Sequence, residues 1–222
     1  MTSDLWVFGY GSLMWRPEFE AAEVRPALLS GYRRCFCITS VHHRGTLDRP
    51  GLVLGLDRGG VCHGLAFRIP QAQVSRTVAA LRAREQVNGV YREARVGIST
   101  EGGQLNAIAY VAERGHPSYA GALSPHLQAR IIRAARGLSG TNLDYLANTL
   151  AHLASLGIRE RELERVLSLS SSVMTRGSLP ARRRRISGLV ALLQAEPIPA
   201  QRLSRTARKR FGHRTKLGGG WS

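Results

Sequence analysis

The chain reads as an α+β protein in which a small closed or strongly curved β-barrel is flanked by helices. Three observations carry this expectation. Extended apolar segments crowd into the first 112 residues, helical spacings dominate after about residue 124, and Gly, Pro or Asp bounds nearly every short strand. At 222 residues the chain is long enough for one well-buried core with an appendage.

Leu5 to Gly9 is a short apolar run closed by Gly-Tyr-Gly. Arg34 to Val41, Gly51 to Asp57, Val61 to Ile69, Val90 to Ile98 and Leu105 to Ala112 are further extended candidates. The Asp57-Arg58-Gly59-Gly60 sequence predicts a hairpin turn between the third and fourth of these. Pro70 ends a strand and opens a helix over Gln71 to about Gln86, with Val74, Val78, Leu81 and Glu85 at spacings of four, three and four. Ser124-Pro125 is an N-cap followed by Pro at the first helical position, and that helix is expected to reach Arg136 before Gly137. Asn142 opens another, with Leu143, Leu146, Leu150, Leu153 and Leu156 on one face and Gly157 at its end; a short helix from Arg159 to about Leu167 follows.

Charge divides the chain at the same place. Residues 1–168 hold 20 Arg, no Lys and 14 acidic residues, a net +6, whereas residues 169–222 hold 10 Arg, 2 Lys and the single acid Glu196, a net +11. Residues 1–168 are therefore expected to form the folded domain, and 169–222 a basic, disordered extension. Binding of nucleic acid or another polyanion is expected only through Arg182–Arg185 and Arg205–Arg210 of that extension, which carries few aromatics. No segment reaches the length of a membrane span, the N-terminus lacks the pattern of a secretory signal, and the cytoplasm is the expected compartment. Cys35, Cys37 and Cys62 are odd in number and lack metal-type spacing, so they are expected to be reduced packing residues. His42, His43 and His63 have no carboxylate or Cys at ligand spacing and are expected on a polar strand surface, without a metal. Arg33, Arg34 and Arg44 are expected on a solvated face that could attract an anion.

Two local signals bear on chemistry. In Val7-Phe8-Gly9-Tyr10-Gly11-Ser12-Leu13-Met14-Trp15 a strand ends in Gly-X-Gly-Ser, which lets the backbone turn sharply and aim successive N–H groups into one concavity suited to a carboxylate. A plain glycine turn, with Trp6, Phe8 and Trp15 as core, reads the same way. Ser12 has no assignable His or acid partner and is expected to position backbone rather than attack. The second signal is Glu85, a carboxylate in line with an apolar helical stripe and close to a helix C-terminus. Burial and the dipole both disfavour its ionised form, which suits a general base; pairing with Arg82, Arg84 or Arg92 to fix the helix end is the alternative.

Together these signals resemble the ChaC-like γ-glutamylcyclotransferases, the glutathione-specific branch. The resemblance rests on Val7 to Trp15, on Arg84-Glu85 followed by Asn88-Gly89-Val90-Tyr91, on His116-Pro117-Ser118-Tyr119-Ala120-Gly121, and on Gly140-Thr141-Asn142-Leu143-Asp144-Tyr145-Leu146 before Leu156-Gly157-Ile158. The motifs come in the family's order across about residues 4–168. The resemblance implies a barrel ringed by helices, no metal or cofactor, and cleavage of glutathione to 5-oxoproline and Cys-Gly. It implies Glu85 as the catalytic acid/base, the loop Val7, Phe8, Gly9, Tyr10, Gly11, Ser12 and Leu13 as the glutamyl-binding segment, and Tyr119 as a residue lining the pocket. Other γ-glutamyl amines or dipeptides as substrate, and a polyanion-binding module working through the basic extension, are the alternatives. A monomer is the default oligomeric state. Residues 169–222 have no counterpart in the family's pattern.

Overall fold

A computed structural model describes residues 4–86 and 89–172. Five strands close into a barrel: β1 (Leu5–Gly9), β2 (Glu23–Ser40), β3 (Gly51–Ile69), β4 (Tyr91–Thr100) and β5 (Gly103–Ala112), in the spatial order β1, β3, β2, β4, β5. Closure comes from β1, which pairs antiparallel with β3 and parallel with β5 through Trp6 opposite Ala107 and Val7 opposite Ile108. The barrel expectation holds. Two short strands, β6 (Arg136–Gly137) and β7 (Gly140–Thr141), form a separate ribbon.

The expected hairpin at Asp57–Gly60 is not there. Gly51–Ile69 is one continuous strand, paired along its length with β2, which begins at Glu23 rather than Arg34. The register runs from Ser30 opposite Val61 to Tyr32 opposite Arg58, so Gly31 faces both Gly59 and Gly60. All three glycines have positive φ (81°, 98° and 76°), and here that freedom supplies a bulge that bends a long ribbon instead of reversing the chain.

Alternation along the strands separates two cores. β5 gives Ala107, Ala109 and Val111 to the cluster built around Phe8, Leu29 and Leu56, and Ile108 and Tyr110 to the cluster shared with the helices. Small residues on the first side suit the interior of a five-stranded barrel. The helices cover the second side.

Helix α1 (Val74–Glu85) follows a 3-10 turn at Gln71–Gln73. Helix α2 (Pro125–Ala134) is capped by Ser124, whose hydroxyl accepts from the Leu127 N–H, and it stops before Arg136, which enters β6. Helix α3 (Asn142–Ser155) is capped by Thr141 and buries Leu143, Leu146, Leu150 and Leu153 as expected. Helix α4 (Arg161–Ser172) runs past Leu167, with Ser170 buried and the Ser170 and Ser171 hydroxyls donating to the Val166 and Leu167 carbonyls, so that these polar side chains are satisfied within the helix. From residue 173 onward the basic extension lies outside the described residues.

Candidate active site

Thr77, Leu81 and Glu85 follow one another at four-residue spacing on α1, and the first two are buried. Glu85 ends this line and projects from the last turn into a cavity of about 70 Å³. Its walls are Tyr10, Gly11, Ser12 and Leu13 from the loop after β1, Leu54 from β3, Tyr91 from β4, Tyr110 from β5 and Tyr145 from α3. A carboxylate thus stands among four tyrosines contributed by four different elements.

The loop wall is tightly made. Ser12–Met14 forms a single 3-10 turn in which the Met14 N–H donates to the Gly11 carbonyl and the Trp15 and Arg16 N–H groups to the Ser12 carbonyl. That turn does not use the N–H groups of Ser12 and Leu13. Gly9 packs so closely that a Cβ would meet the Phe67 ring at 2.9 Å, whereas a Cβ on Gly11 would meet nothing within 4 Å. Gly9 is a packing requirement; Gly11 keeps the cavity side open. Of the expected binding segment, Tyr10 to Leu13 line the cavity, while Val7 and Phe8 lie fully buried in the two cores on either side of β1.

Tyr119 is not brought to this cavity. It bridges Ile38 at the end of β2 and donates its hydroxyl to Asp57 at 3.1 Å, with the Arg114 guanidinium over its ring. The cause is the bend at Gly121, of φ 70°, and the main-chain bonds from Thr39 to Ser118 and from Ala120 to Cys37, which hold segment 118–120 against β2.

Arg34 corrects another expectation. It is buried at 2% exposure, not solvated. Its Nε donates to the Tyr10 carbonyl at 2.5 Å, its Nη2 to the His63 carbonyl at 2.6 Å, and its Nη1 pairs with Glu160 on the segment entering α4. The loop's floor is therefore fastened by a buried ion pair, which a pair of adjacent arginines in a strand does not announce. Arg33 is partly exposed, 4.0 Å from Asp57, and Arg44 lies over the Tyr145 ring and donates to the Ser139 carbonyl.

Asn142 is a second residue whose part is invisible in the sequence beyond its capping position. Its side chain is completely buried, accepting from the Leu52 N–H at 2.6 Å and donating to the Leu52 carbonyl at 2.7 Å, as a strand neighbour would. This locks the start of α3 to β3 and sets Tyr145 one turn later. Its hydroxyl accepts from the Leu54 N–H, while the Tyr91 hydroxyl donates to the Leu54 carbonyl at 2.6 Å. Tyr110 donates to Glu93, itself held by Arg82.

Electrostatics follow from this burial. The Glu85 side chain is 17% exposed and its carboxyl is pushed above the usual carboxylate range, chiefly by desolvation, with Arg84 at 3.3 Å opposing and Glu18 reinforcing. Of the three arginines that could have paired with it, Arg82 goes to Glu93 and Arg92 to Glu113, leaving Arg84. Tyr10, Tyr91 and Tyr145 are raised by burial, and Tyr110 is pushed up above its ordinary value for the same cause, so all four present neutral hydroxyls. A carboxyl of raised proton affinity, facing neutral hydroxyls and a backbone loop, fits acid/base chemistry on a small polar molecule.

Other candidates stay apart from this site. Cys37 and Cys62 are buried and Cys35 partly so, all three as free thiols. His42 and His43 pack edge to face near β6, and His43 meets Ser139. Among the described residues no three His, Cys, Asp or Glu side chains gather where they could hold a metal ion, and no helix is long and apolar enough to cross a membrane.

Comparison with known proteins adds to this geometry. A family described as ChaC-like protein matches residues 5–176. The glutathione-specific gamma-glutamylcyclotransferase of Escherichia coli (strain K12) is 35% identical over 164 residues, covering 73% of this chain and 71% of its own. The protein of the same name from Schizosaccharomyces pombe is 36% identical over 186 residues, covering 72% of this chain and 90% of its own. A crystal structure of a gamma-glutamylcyclotransferase specific to glutathione from yeast matches with a TM-score of 0.69 at 22% identity, covering 80% of this chain and all of that one; at that identity the likeness speaks for the fold.

Proposed function

The chain belongs to the ChaC-like family, and from that premise we propose that it is a glutathione-specific γ-glutamylcyclotransferase, a lyase in which Glu85 is the acid/base. The observation that carries this is that a largely buried carboxylate of raised proton affinity lines one small cavity together with the Tyr10–Leu13 loop.

In the neutral form of its γ-glutamyl amine, glutathione needs no external nucleophile. The amine nitrogen attacks the γ-carbonyl carbon of the same residue, a five-membered ring closes, and intramolecular geometry supplies much of the advantage. As the new C–N bond forms, the ring nitrogen passes one proton to the Glu85 carboxylate. Glu85 returns it to the cysteinyl nitrogen as the old C–N bond breaks, giving 5-oxoproline and Cys-Gly with protons in balance. The backbone N–H groups of the loop hold the α-carboxylate, and the Tyr145 hydroxyl, which accepts from the Leu54 N–H and keeps its own proton, donates to the oxygen that carries charge in between, the Tyr91 and Tyr110 protons being held by the Leu54 carbonyl and Glu93. Such a ring closure calls for no redox step and no electron sink, so no cofactor or metal is assigned.

We place the protein in the cytoplasm, on the strength of three free cysteines that suit a reducing compartment. The experiment is to incubate the purified chain with glutathione and, separately, with γ-glutamyl dipeptides, and to follow 5-oxoproline and the released amine by mass spectrometry. Turnover of glutathione alone supports the proposal. Turnover of dipeptides alone moves the substrate, and no turnover of either sinks the enzymatic reading in favour of a role for the basic extension.

A further inference from the structure

Beside Glu85 stands a charged pair that the mechanism above does not use. The Arg84 guanidinium donates from Nη2 to the Ser12 hydroxyl at 2.9 Å and from Nη1 to the Arg16 carbonyl at 2.8 Å, while Nη1 also lies 3.1 Å from Glu18 and Nε 3.3 Å from Glu85. One side chain thus touches the loop wall, the segment that follows it, and the acid/base residue. Glu18 sits at φ 58°, a left-handed conformation that costs a non-glycine residue free energy and persists where the surroundings over-determine it.

We propose that Arg84 is a positioning residue that holds Glu85 against the Tyr10–Leu13 loop, and that Glu18 draws part of the guanidinium's charge away from the Glu85 carboxylate. The inference rests on the reading of Glu85 as the acid/base. The geometry favours it over a merely structural pair. A surface tie would need only one partner, whereas Arg84 reaches three further groups, the Ser12 hydroxyl in the cavity wall and the Arg16 carbonyl and Glu18 carboxylate in the segment that follows it. The groups facing Glu85 are Arg84 of its own helix, Glu18 from the loop after β1, and the hydroxyls of Tyr10, Tyr91, Tyr110 and Tyr145 from the other walls. The tyrosines are neutral through the working range, so among the described residues Arg84 and Glu18 are the two charges that tune it, with opposite signs.

The test is the acidic limb of the pH profile of kcat/KM for glutathione, measured on the full chain as wild type, Arg84→Gln, Arg84→Lys, Glu18→Gln and Glu85→Gln. Arg84→Gln moves the limb to higher pH and lowers kcat/KM roughly ten- to a hundredfold, the scale of one lost charge-assisted contact. Arg84→Lys restores the position of the limb but only part of the rate, because an ammonium cannot span the same partners. Glu18→Gln, at a side chain 69% exposed, moves the limb to lower pH by an amount that shrinks in high salt. Displacements in opposite directions support the proposal. Limbs that stay put, or move the same way, overturn it, and Glu18→Gln decides alone if Arg84→Gln does not fold. If Glu85→Gln is as active as wild type, the reading of Glu85 fails and takes the inference with it; an inactive Glu85→Gln with unmoved limbs elsewhere defeats the inference alone.

Discussion

Replacing Arg34 by Met tests whether the loop is held from below by a buried charge. The guanidinium is wholly out of solvent and satisfies the Tyr10 and His63 carbonyls, while its partner Glu160 keeps about a fifth of its surface exposed. Removing one member of a buried ion pair costs about 3–5 kcal/mol, since the other charge is left unpaired. Glu160 retains some water and its carboxyl is already raised by burial, so it can protonate, and the low end, about 3 kcal/mol, applies. For a domain of this size that is a fall in Tm of about 6–12 °C. Thermal denaturation followed by circular dichroism checks it at two pH values. The deficit is full where Glu160 is ionised and shrinks as pH falls through its raised pKa, because a neutral carboxyl needs no partner. Arg34→Met combined with Glu160→Leu recovers much of the loss. A fall of under 2 °C, or a deficit that does not change with pH, would refute the clamp.

Three further outcomes follow from the same geometry. The acidic limb of wild-type kcat/KM lies above the usual carboxylate range, because burial raises Glu85 and the base must be ionised; a limb at the ordinary value would place another group in the role. Gly64→Ala puts a Cβ 2.4 Å from the Gly9 carbonyl oxygen and 2.7 Å from the Phe8 ring, and urea denaturation should show a loss of about 1–3 kcal/mol with a shifted binding loop raising KM. Leu146→Ala, at a fully buried position between α3 and the barrel, costs about 2–5 kcal/mol by the same measurement while leaving KM little changed.

Period and punctuation made the barrel legible. A bounded apolar run such as Ala107–Ala112 of β5, buried on both faces, and a helix with spacing near 3.6 such as α3, which must bury one face, announce themselves. The Asp57–Gly60 segment misled because turn chemistry specifies positive φ, not chain reversal, and a bulge uses the same glycines. Pro26 and Gly31 hid the first half of β2 for the same kind of reason. At the site, Glu85 stood out because a carboxylate continuing a buried helical line is locally anomalous. The tyrosine walls did not, because Tyr10, Tyr91, Tyr110 and Tyr145 come from four elements and meet only through barrel closure and the Asn142 lock on β3. Arg34 was hidden by its neighbour, as two arginines in sequence point to opposite faces of a strand and only the fold decides which face is buried.

The central claim is that Glu85 moves the proton in ring closure, and Glu85→Gln tests it most directly. The amide keeps the shape of the side chain and removes only its ability to exchange a proton. Product formation from glutathione and the melting temperature are measured on the same sample. The account predicts a rate lower by about 10²–10⁴-fold, with Tm equal to wild type or higher at neutral pH, since a buried carboxylate of raised pKa destabilises the fold once it ionises. A folded variant that keeps its rate within tenfold would contradict it.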